Sequence, residues 1–184
     1  AEDGIRDYCT KKKLPLVLCT TGLSNEQLEN VKKSSETIAI LRSANMSIGV
    51  NLLLKLAAQA TKALEDKGFD IEIVEKHHNR KLDAPSGTAL ALADAVNEAA
   101  EGSYDYIFSR SERREKRPVT EIGIASVRGG SIVGEHDVIF AGEDEVITLS
   151  HSAYSRSIFA KGAVEAAKFL YNKKAGIYSM FDVL

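Results

Sequence analysis

The residues best suited to chemistry lie close together in one segment, HHNRKLDAPSGT at positions 77–88. Two adjacent histidines, His77 and His78, and the nearby Lys81 carry positive charge and protons that can be transferred near neutral pH. A cluster of this kind suits a reaction in which a proton is delivered to an anionic substrate.

The end of the same segment has the pattern of a helix start. Ser86 is a typical N-cap, and Gly87 allows a ligand to approach the backbone closely. The N–H groups of Gly87 and Thr88, with the Thr88 hydroxyl, are therefore expected to bind a carboxylate or a phosphate. For each residue taken alone, an alternative without a binding site remains: Ser86 would only cap the helix, and His77 and His78 would be ordinary surface residues. The convergence of all of them within twelve residues favours an anion site.

Other candidates are weaker. His136 and His151 fall on expected strands with no carboxylate or cysteine at ligand spacing, so we interpret them as core or surface residues and predict no metal site. Arg128, before Gly129-Gly130, could direct a guanidinium at a carboxylate, although a plain hairpin turn explains the glycines. Cys9 and Cys19 are most simply structural. No Ser-His-Asp order or nucleophile elbow is present.

Composition excludes several classes of function. The chain has 184 residues, 44% of them hydrophobic, and 24 basic against 26 acidic side chains, which gives a net charge of −2. A dedicated nucleic-acid binder would carry a positive excess. No apolar run reaches the roughly 18 residues of a membrane span, and the polar start is no secretory signal. Two cysteines without a disulfide framework favour a reducing, cytoplasmic location.

The first 44 residues read as one βαβ unit of an α/β sheet. Apolar runs at 14–19 and 37–41 predict buried parallel strands. Between them, Ser24 and Gln27 form a capping-box pattern that predicts a helix over 25–33.

The rest of the chain reads as an α+β unit followed by a terminal helix. The expected elements are a helix at 48–67 closed by Gly68, a strand at 70–74, a helix at 88–100, a solvated basic loop at 102–118, strands at 120–127, 132–141 and 145–151, and a helix at 156–171. The turns between the last three strands predict an antiparallel meander, so the sheet of this unit is expected to be mixed.

The segment HHNRKLDAPSGTA at 77–89 closely resembles the signature of the dihydrodipicolinate reductase (4-hydroxy-tetrahydrodipicolinate reductase) family of lysine and diaminopimelate biosynthesis. The similarity extends along nearly all of the chain, including Ser126-Val127-Arg128-Gly129-Gly130 and Ser155-Arg156. The resemblance implies hydride transfer from NADPH or NADH to a cyclic dicarboxylate substrate, giving tetrahydrodipicolinate. It also implies a homotetramer, formed through the mixed sheet, with no nucleic-acid or membrane partner.

Roles for individual residues follow from the resemblance. His77 matches the family's general acid/base and Lys81 its proton donor. Four residues match the family's contacts to the substrate carboxylates: His78, Ser86, Gly87 and Thr88. The cofactor contacts match two loops and one arginine: Cys19, Thr20, Thr21, Ser43, Ala44, Asn45, Met46 and Arg156.

Two of these positions depart from the family pattern. Cys19 stands where the family usually has glycine, and its side chain is expected to crowd the cofactor. Met46 stands where phenylalanine is frequent, and it is expected to pack less rigidly beside a nicotinamide ring.

A glycine-rich G-x-x-G-x-x-G turn does not occur in residues 1–44. We therefore expect a partial Rossmann-type layer at 1–44, of which the N-terminal part is absent, and a substrate-binding, catalytic and oligomerisation domain at 45–155. The helix and tail at 156–184 are expected to pack back on the cofactor domain. A fragment of a longer reductase is the simpler interpretation. The alternative is a non-catalytic module that binds the dicarboxylate or forms the oligomer.

Overall fold

The structure, a computed structural model, describes residues 2–64 and 66–184. Within these residues the chain forms five helices and eight strands. The helices are α1 (Glu2–Lys12), α2 (Asn25–Ser35), α3 (Ile48–Leu64), α4 (Gly87–Ala99) and α5 (Ser157–Leu170). The strands are β1 (Leu16–Leu18), β2 (Ala39–Arg42), β3 (Asp70–His77), β4 (Asp105–Ile107), β5 (Glu121–Arg128), β6 (Gly134–Ala141), β7 (Val146–Ala153) and β8 (Gly176–Tyr178).

These elements form two compact units. The first comprises the residues up to Asn51 together with Ser157–Leu184, and the second comprises Leu52–Arg156. The first contains a parallel sheet and the second a mixed sheet, so the predicted fold class is confirmed. Of the helices in the described residues, none is long and apolar enough to cross a membrane.

The sheet of the first unit is covered on both faces. Its strand order is β1-β2-β8, and all neighbours are parallel. Alternate residues of β2 therefore enter two different cores: Leu41 packs with Ala166 and Leu170 of α5, whereas Ile40 packs with Val31 of α2. Burial on both faces explains why the strand sequences are continuously apolar rather than alternating.

The start of α2 follows the predicted capping box. The Ser24 hydroxyl accepts a hydrogen bond from the Gln27 N–H at 3.2 Å, and the Gln27 side chain accepts one from the Ser24 N–H at 3.0 Å. These reciprocal bonds satisfy donors that the first helical turn leaves without intrahelical partners. The helix continues two residues beyond the predicted end, to Ser35.

The sheet of the second unit has the order β4-β5-β3-β6-β7, so the predicted antiparallel meander is wrong. β6 and β7 pair antiparallel as expected, but β3 lies between β5 and β6 and runs parallel to β5. The Gly129-Gly130 turn reverses the chain across the end of β3. A turn sequence specifies such a reversal, but it does not specify whether another strand occupies the intervening position.

This turn also holds the end of β3 in place. The Gly129 N–H donates to the His77 carbonyl at 2.9 Å, and the Asn79 N–H donates to the Gly130 carbonyl at 3.3 Å. α4 packs against β3, β5 and β6. The carboxyl end of β3 is therefore fixed by the turn and lies in the same unit as the start of α4.

The basic segment 102–118 is not a purely solvated loop. It contains β4, and its arginines pair with carboxylates of the neighbouring strands. Arg110 binds Glu72 through both terminal nitrogens at 3.0 and 2.8 Å, and Arg117 binds the same carboxylate at 2.9 Å. Gly123 makes room for this network, because an added Cβ would lie 1.9 Å from Oε2 of Glu72.

Candidate active site

β3 brings a carboxylate and the first histidine of the motif to one buried face. Burial alternates along the strand, and Ile71, Ile73, Glu75 and His77 are its buried residues. The strand continues three residues beyond the predicted end at position 74, so His77 lies on a strand end rather than in a loop. A β-strand directs alternate side chains to the same face, which places Glu75 beside His77.

The Glu75 carboxylate is the centre of a hydrogen-bond network. It is fully buried and accepts hydrogen bonds from Arg128 at 2.8 and 2.6 Å and from the Ser86 N–H at 3.1 Å. Its Oε2 lies 2.5 Å from Nδ1 of His77. Burial opposes ionisation, but the hydrogen bonds to the carboxylate outweigh it and lower the pKa of Glu75 to about 2; those from Arg128 and His77 contribute most, followed by Ser126 and the Ser86 N–H. Glu75 is therefore a carboxylate throughout the physiological range.

The ionised carboxylate sets the tautomer of His77. Since a carboxylate can only accept, Nδ1 of His77 must be the donor in this bond. The opposite ring nitrogen faces Gly134, where an added Cβ would lie 3.1 Å from Nε2. Nδ1 of His77 therefore carries a proton in both states of the ring. In the neutral ring Nε2 has the lone pair, and in the charged ring Nε2 has the additional proton.

Ser86 caps α4, as the sequence predicts. Its hydroxyl accepts from the Ala89 N–H at 3.2 Å and lies 3.1 Å from Nε2 of His136. The His136 ring meets the His77 ring edge-on, with the centroids 5.2 Å apart. Burial, followed by repulsion from His77, lowers the pKa of His136 to about 4, so His136 is neutral near pH 7.

The loop after β3 carries the other two candidate residues of the motif, His78 and Lys81. The Lys81 N–H donates to the His78 carbonyl at 3.1 Å, and Nζ of Lys81 pairs with Asp83 at 2.8 Å. Nδ1 of His78 is buried and has no hydrogen-bond partner among the described residues. Burial, together with the positive charges of Arg80 and Arg156, lowers the pKa of His78.

Gly87 and Thr88 form the first turn of α4. Gly87 is exposed, and an added Cβ there would have no heavy atom within 4 Å. Thr88 is half-buried. The helix start is therefore open to a ligand at Gly87, as an anion site requires.

The first unit contains a cavity of about 400 Å³ at the carboxyl ends of β1 and β2. Its lining residues are Cys19, Ala44, Asn45, Met46, Phe159, Ala160 and Ala163. Four of them are predicted cofactor contacts. Thr20, Thr21 and Ser43 flank this lining in sequence, whereas Arg156 is exposed and belongs to the second unit.

The two departures from the family pattern have different surroundings. Cys19 is exposed at the cavity, and the partial desolvation of its thiol raises the pKa of Cys19. Met46 is 5% exposed and packs in the core with Leu41, Ala166 and Met180, so its side chain is supported by the unit itself. Small residues on α5 make this possible, since a Cβ added at Gly162 would lie 1.7 Å from the Met46 carbonyl oxygen.

Sequence reasoning missed Glu75 and identified only part of the role of two of its neighbours, Arg128 and His136. The alternation of β3 carried a signal for Glu75, because a glutamate in line with Ile71 and Ile73 faces the core and needs a partner. Arg128 was a weaker candidate for directing a guanidinium at a carboxylate, and its partner Glu75 was not identified. His136 was interpreted as a core or surface residue; it is buried, and nothing local in the sequence indicated its contact with Ser86. The structure holds no group of three or more potential metal-ligating side chains in residues 2–64 and 66–184.

Comparisons with known proteins agree along the chain. Residues 3–46 match the family model described as dihydrodipicolinate reductase, N-terminus, and residues 49–184 match the one described as dihydrodipicolinate reductase, C-terminus. A 4-hydroxy-tetrahydrodipicolinate reductase from Caldanaerobacter subterraneus subsp. tengcongensis is 58% identical over 174 residues, which are 95% of this chain and 68% of the relative. The enzyme of the same name from Clostridium tetani is 54% identical over 173 residues, 94% of this chain and 67% of the relative.

A solved structure is also similar. It is a dipicolinate-bound dihydrodipicolinate reductase from Paenisporosarcina sp. TG-14, with a TM-score of 0.79 and 27% sequence identity, and it covers all of this chain and 71% of its own. The network around Glu75 and His77, the open helix start and these matches to both family models have one explanation: the chain belongs to the dihydrodipicolinate reductase family.

Proposed function

We propose that the chain is the NAD(P)H-dependent reductase that converts 4-hydroxy-tetrahydrodipicolinate to tetrahydrodipicolinate in lysine and diaminopimelate biosynthesis. The observation that carries this function is the pairing of His77 with the buried Glu75 next to the open start of α4. This arrangement joins a proton donor to a carboxylate site, and it lies in a chain that matches both domains of the family.

The substrate carboxylates bind at His78, Ser86, Gly87 and Thr88. Gly87 and Thr88 offer backbone N–H groups at the positive end of the α4 dipole. The buried Nδ1 of His78 has a hydrogen-bonding capacity that no described protein group uses. Ser86 contributes mainly by fixing this helix start, since its N–H is committed to Glu75 and its hydroxyl contacts Ala89 and His136.

His77 and Lys81 deliver the proton. Loss of the 4-hydroxyl group as water gives the conjugated dihydrodipicolinate, and addition of a hydride to this carbon–nitrogen system leaves an enamine or carbanion-like centre that must be protonated. His77 acts as general acid/base through Nε2, because Glu75 holds Nδ1. Lys81 is paired with Asp83, and a substrate carboxylate can replace that partner, which would place the Lys81 ammonium against the substrate.

The nicotinamide cofactor binds in the first unit. NADH or NADPH supplies the hydride when bound. The cavity lined by Cys19, Ala44, Asn45 and Met46 fits such a group, because it is mostly apolar and lies where parallel strands end. Thr20, Thr21, Ser43 and Arg156 complete the proposed contacts.

The proposed domains follow from these sites. Residues 1–44 contribute the C-terminal part of a Rossmann-type cofactor domain, and 45–155 form the substrate-binding, catalytic and oligomerisation domain. Residues 156–184 belong with the cofactor part; in support, α5 packs on β1 and β2, and β8 pairs with β2. We further propose a homotetramer formed through the mixed sheet, where Val127 and Val146 are exposed, and a cytoplasmic location, in keeping with two unpaired cysteines.

A coupled assay tests the function. The preceding synthase generates the substrate, and oxidation of NADH or NADPH is followed by absorbance, while binding of pyridine-2,6-dicarboxylate is measured separately by calorimetry. We expect both dicarboxylate binding and cofactor oxidation. Binding of the dicarboxylate without turnover by either cofactor would identify a non-catalytic dicarboxylate-binding module, and failure of both measurements would contradict the reductase function.

A further inference from the structure

Glu75 has more partners than a buried ion pair requires. Arg128 already neutralises its charge through two short hydrogen bonds. The same carboxylate also accepts from the start of α4, through the Ser86 N–H, and lies 2.5 Å from Nδ1 of His77. One buried group therefore contacts the proposed proton donor and the proposed carboxylate site at the same time.

The contact with His77 has a chemical consequence. A neutral histidine can carry its proton on either ring nitrogen, and only one tautomer leaves Nε2 able to accept a proton. The pKa of Glu75, about 2, keeps the carboxylate ionised, so the proton of the neutral ring stays on Nδ1. Gly134 and the edge-on ring of His136 further limit the orientation of His77.

A second glutamate on the same strand, Glu72, forms ion pairs without a contact to the motif histidines. Glu72 lies three residues earlier on the opposite face and pairs with Arg110 and Arg117. No histidine is among its hydrogen-bond partners in the described residues. Glu72 therefore provides a matched control for the removal of a negative charge from β3.

We propose that Glu75 is a positioning residue for the reductase reaction: it fixes the tautomer and direction of His77 and, through Ser86, the position of the dicarboxylate site relative to it. The catalytic part of this inference rests on the proposed function. The geometric part concerns His77 alone and can be measured without cofactor or substrate.

The first test is the tautomer of His77 in the wild-type protein. Nitrogen-15 NMR of the histidine ring, recorded over a range of pH and assigned by comparison with His77→Gln, distinguishes a proton on Nδ1 from one on Nε2. We expect the Nδ1–H form. The Nε2–H form would overturn the proposal, and this result does not depend on any Glu75 variant folding or on reductase activity.

The second test compares Glu75→Gln with Glu72→Gln. A glutamine at 75 can still accept from Ser86, but its amide nitrogen donates towards His77 and releases the tautomer. We expect kcat of Glu75→Gln to fall about 10- to 100-fold, which is less than the roughly 10²- to 10⁴-fold contribution of a general acid, because His77 itself remains in place. KM and the Kd for pyridine-2,6-dicarboxylate should change less than about threefold, which is less than the change in affinity expected for the loss of one hydrogen bond to a charged group. The control variant Glu72→Gln should retain wild-type kcat.

Two results would show that Glu75 is merely structural. One is a folded Glu75→Gln protein with wild-type kcat. The other is an equal loss of kcat and dicarboxylate affinity with the Nδ1–H tautomer retained. An inactive wild-type enzyme with the Nδ1–H tautomer would instead count against the proposed function and leave the geometric part of the proposal standing.

Discussion

Nε2 of His77 faces Gly134 so closely that a Cβ atom added at Gly134 would lie 3.1 Å from it. The ring has little freedom to retreat, because its other edge is held by Glu75 at 2.5 Å. The space at Gly134 is therefore part of the geometry of the proposed proton donor, His77. A glycine is needed here for the close approach of a neighbouring ring.

We expect Gly134→Ala to lower kcat by about 10- to 100-fold, because displacing a reacting group by a fraction of an ångström to one ångström costs rate on this scale. Steady-state kinetics measure the effect. Gly129→Ala is the control, since an added Cβ at Gly129 has no heavy atom within 4 Å. Equal kcat values for both variants would show that His77 does not depend on the space at Gly134.

Removal of the Thr88 hydroxyl is expected to weaken dicarboxylate binding. Thr88→Val keeps the shape of the side chain but loses one hydrogen bond to a charged group, which is worth about 1 to 3 kcal/mol. Calorimetry with pyridine-2,6-dicarboxylate measures the loss, with the exposed Thr37→Val as control. Unchanged affinity in Thr88→Val would rule out the helix start as the carboxylate site.

We expect Gly162→Ala to lower the stability of the protein, whereas the same substitution at another helical glycine, Gly4, should raise it. In Gly162→Ala the new Cβ would lie 1.7 Å from the Met46 carbonyl oxygen, so α5 or the loop at Met46 must move, at a cost of about 1 to 3 kcal/mol. In α1, Gly4→Ala meets no atom within 4 Å and should stabilise the helix by about 0.5 to 1 kcal/mol. Thermal unfolding of both variants checks the signs, and a stabilised Gly162→Ala protein would contradict the close packing of α5.

His136 makes stability depend on pH in a defined direction. Its pKa falls from 6.5 to about 4 in the folded state, so the unfolded chain binds a proton more readily and stability is lost as the pH falls from about 6.5 to about 4. The full loss is on the order of 3 kcal/mol for a shift of this size. Denaturant unfolding at several pH values should show a smaller acid loss in His136→Gln than in wild type, with parallel curves above pH 7. Identical acid slopes would show that His136 does not titrate as its burial requires.

The fold could be predicted from the sequence where the determinants are local. The capping pattern of Ser24 and Gln27 and the N-cap Ser86 are each contained within a few residues, so they gave the starts of α2 and α4. The apolar run around Ile40 gave a buried parallel strand for the same reason. Strand pairing is not local, and the insertion of β3 between β5 and β6 could not be inferred from the turn at Gly129.

The candidate site also combines residues that the local sequence indicates with residues that only the tertiary structure brings together. His77, His78 and Lys81 were found because they lie within one motif. Glu75 lies only two residues before that motif, but its significance depends on Arg128, which is 53 residues away and meets it only through sheet register. The sequence therefore indicates the proposed reacting groups, whereas the residues that contact and orient them become visible only in the tertiary structure.

The most direct test of the central claim, that His77 and Lys81 deliver the proton, is the steady-state kinetics of three variants with the preferred nicotinamide cofactor. We expect His77→Gln to lower kcat by about 10²- to 10⁴-fold, Lys81→Ala to impair both kcat and KM, and His78→Gln to act mainly on KM. Near-normal kcat in both the His77 and Lys81 variants would contradict the claim and leave water as the source of the proton.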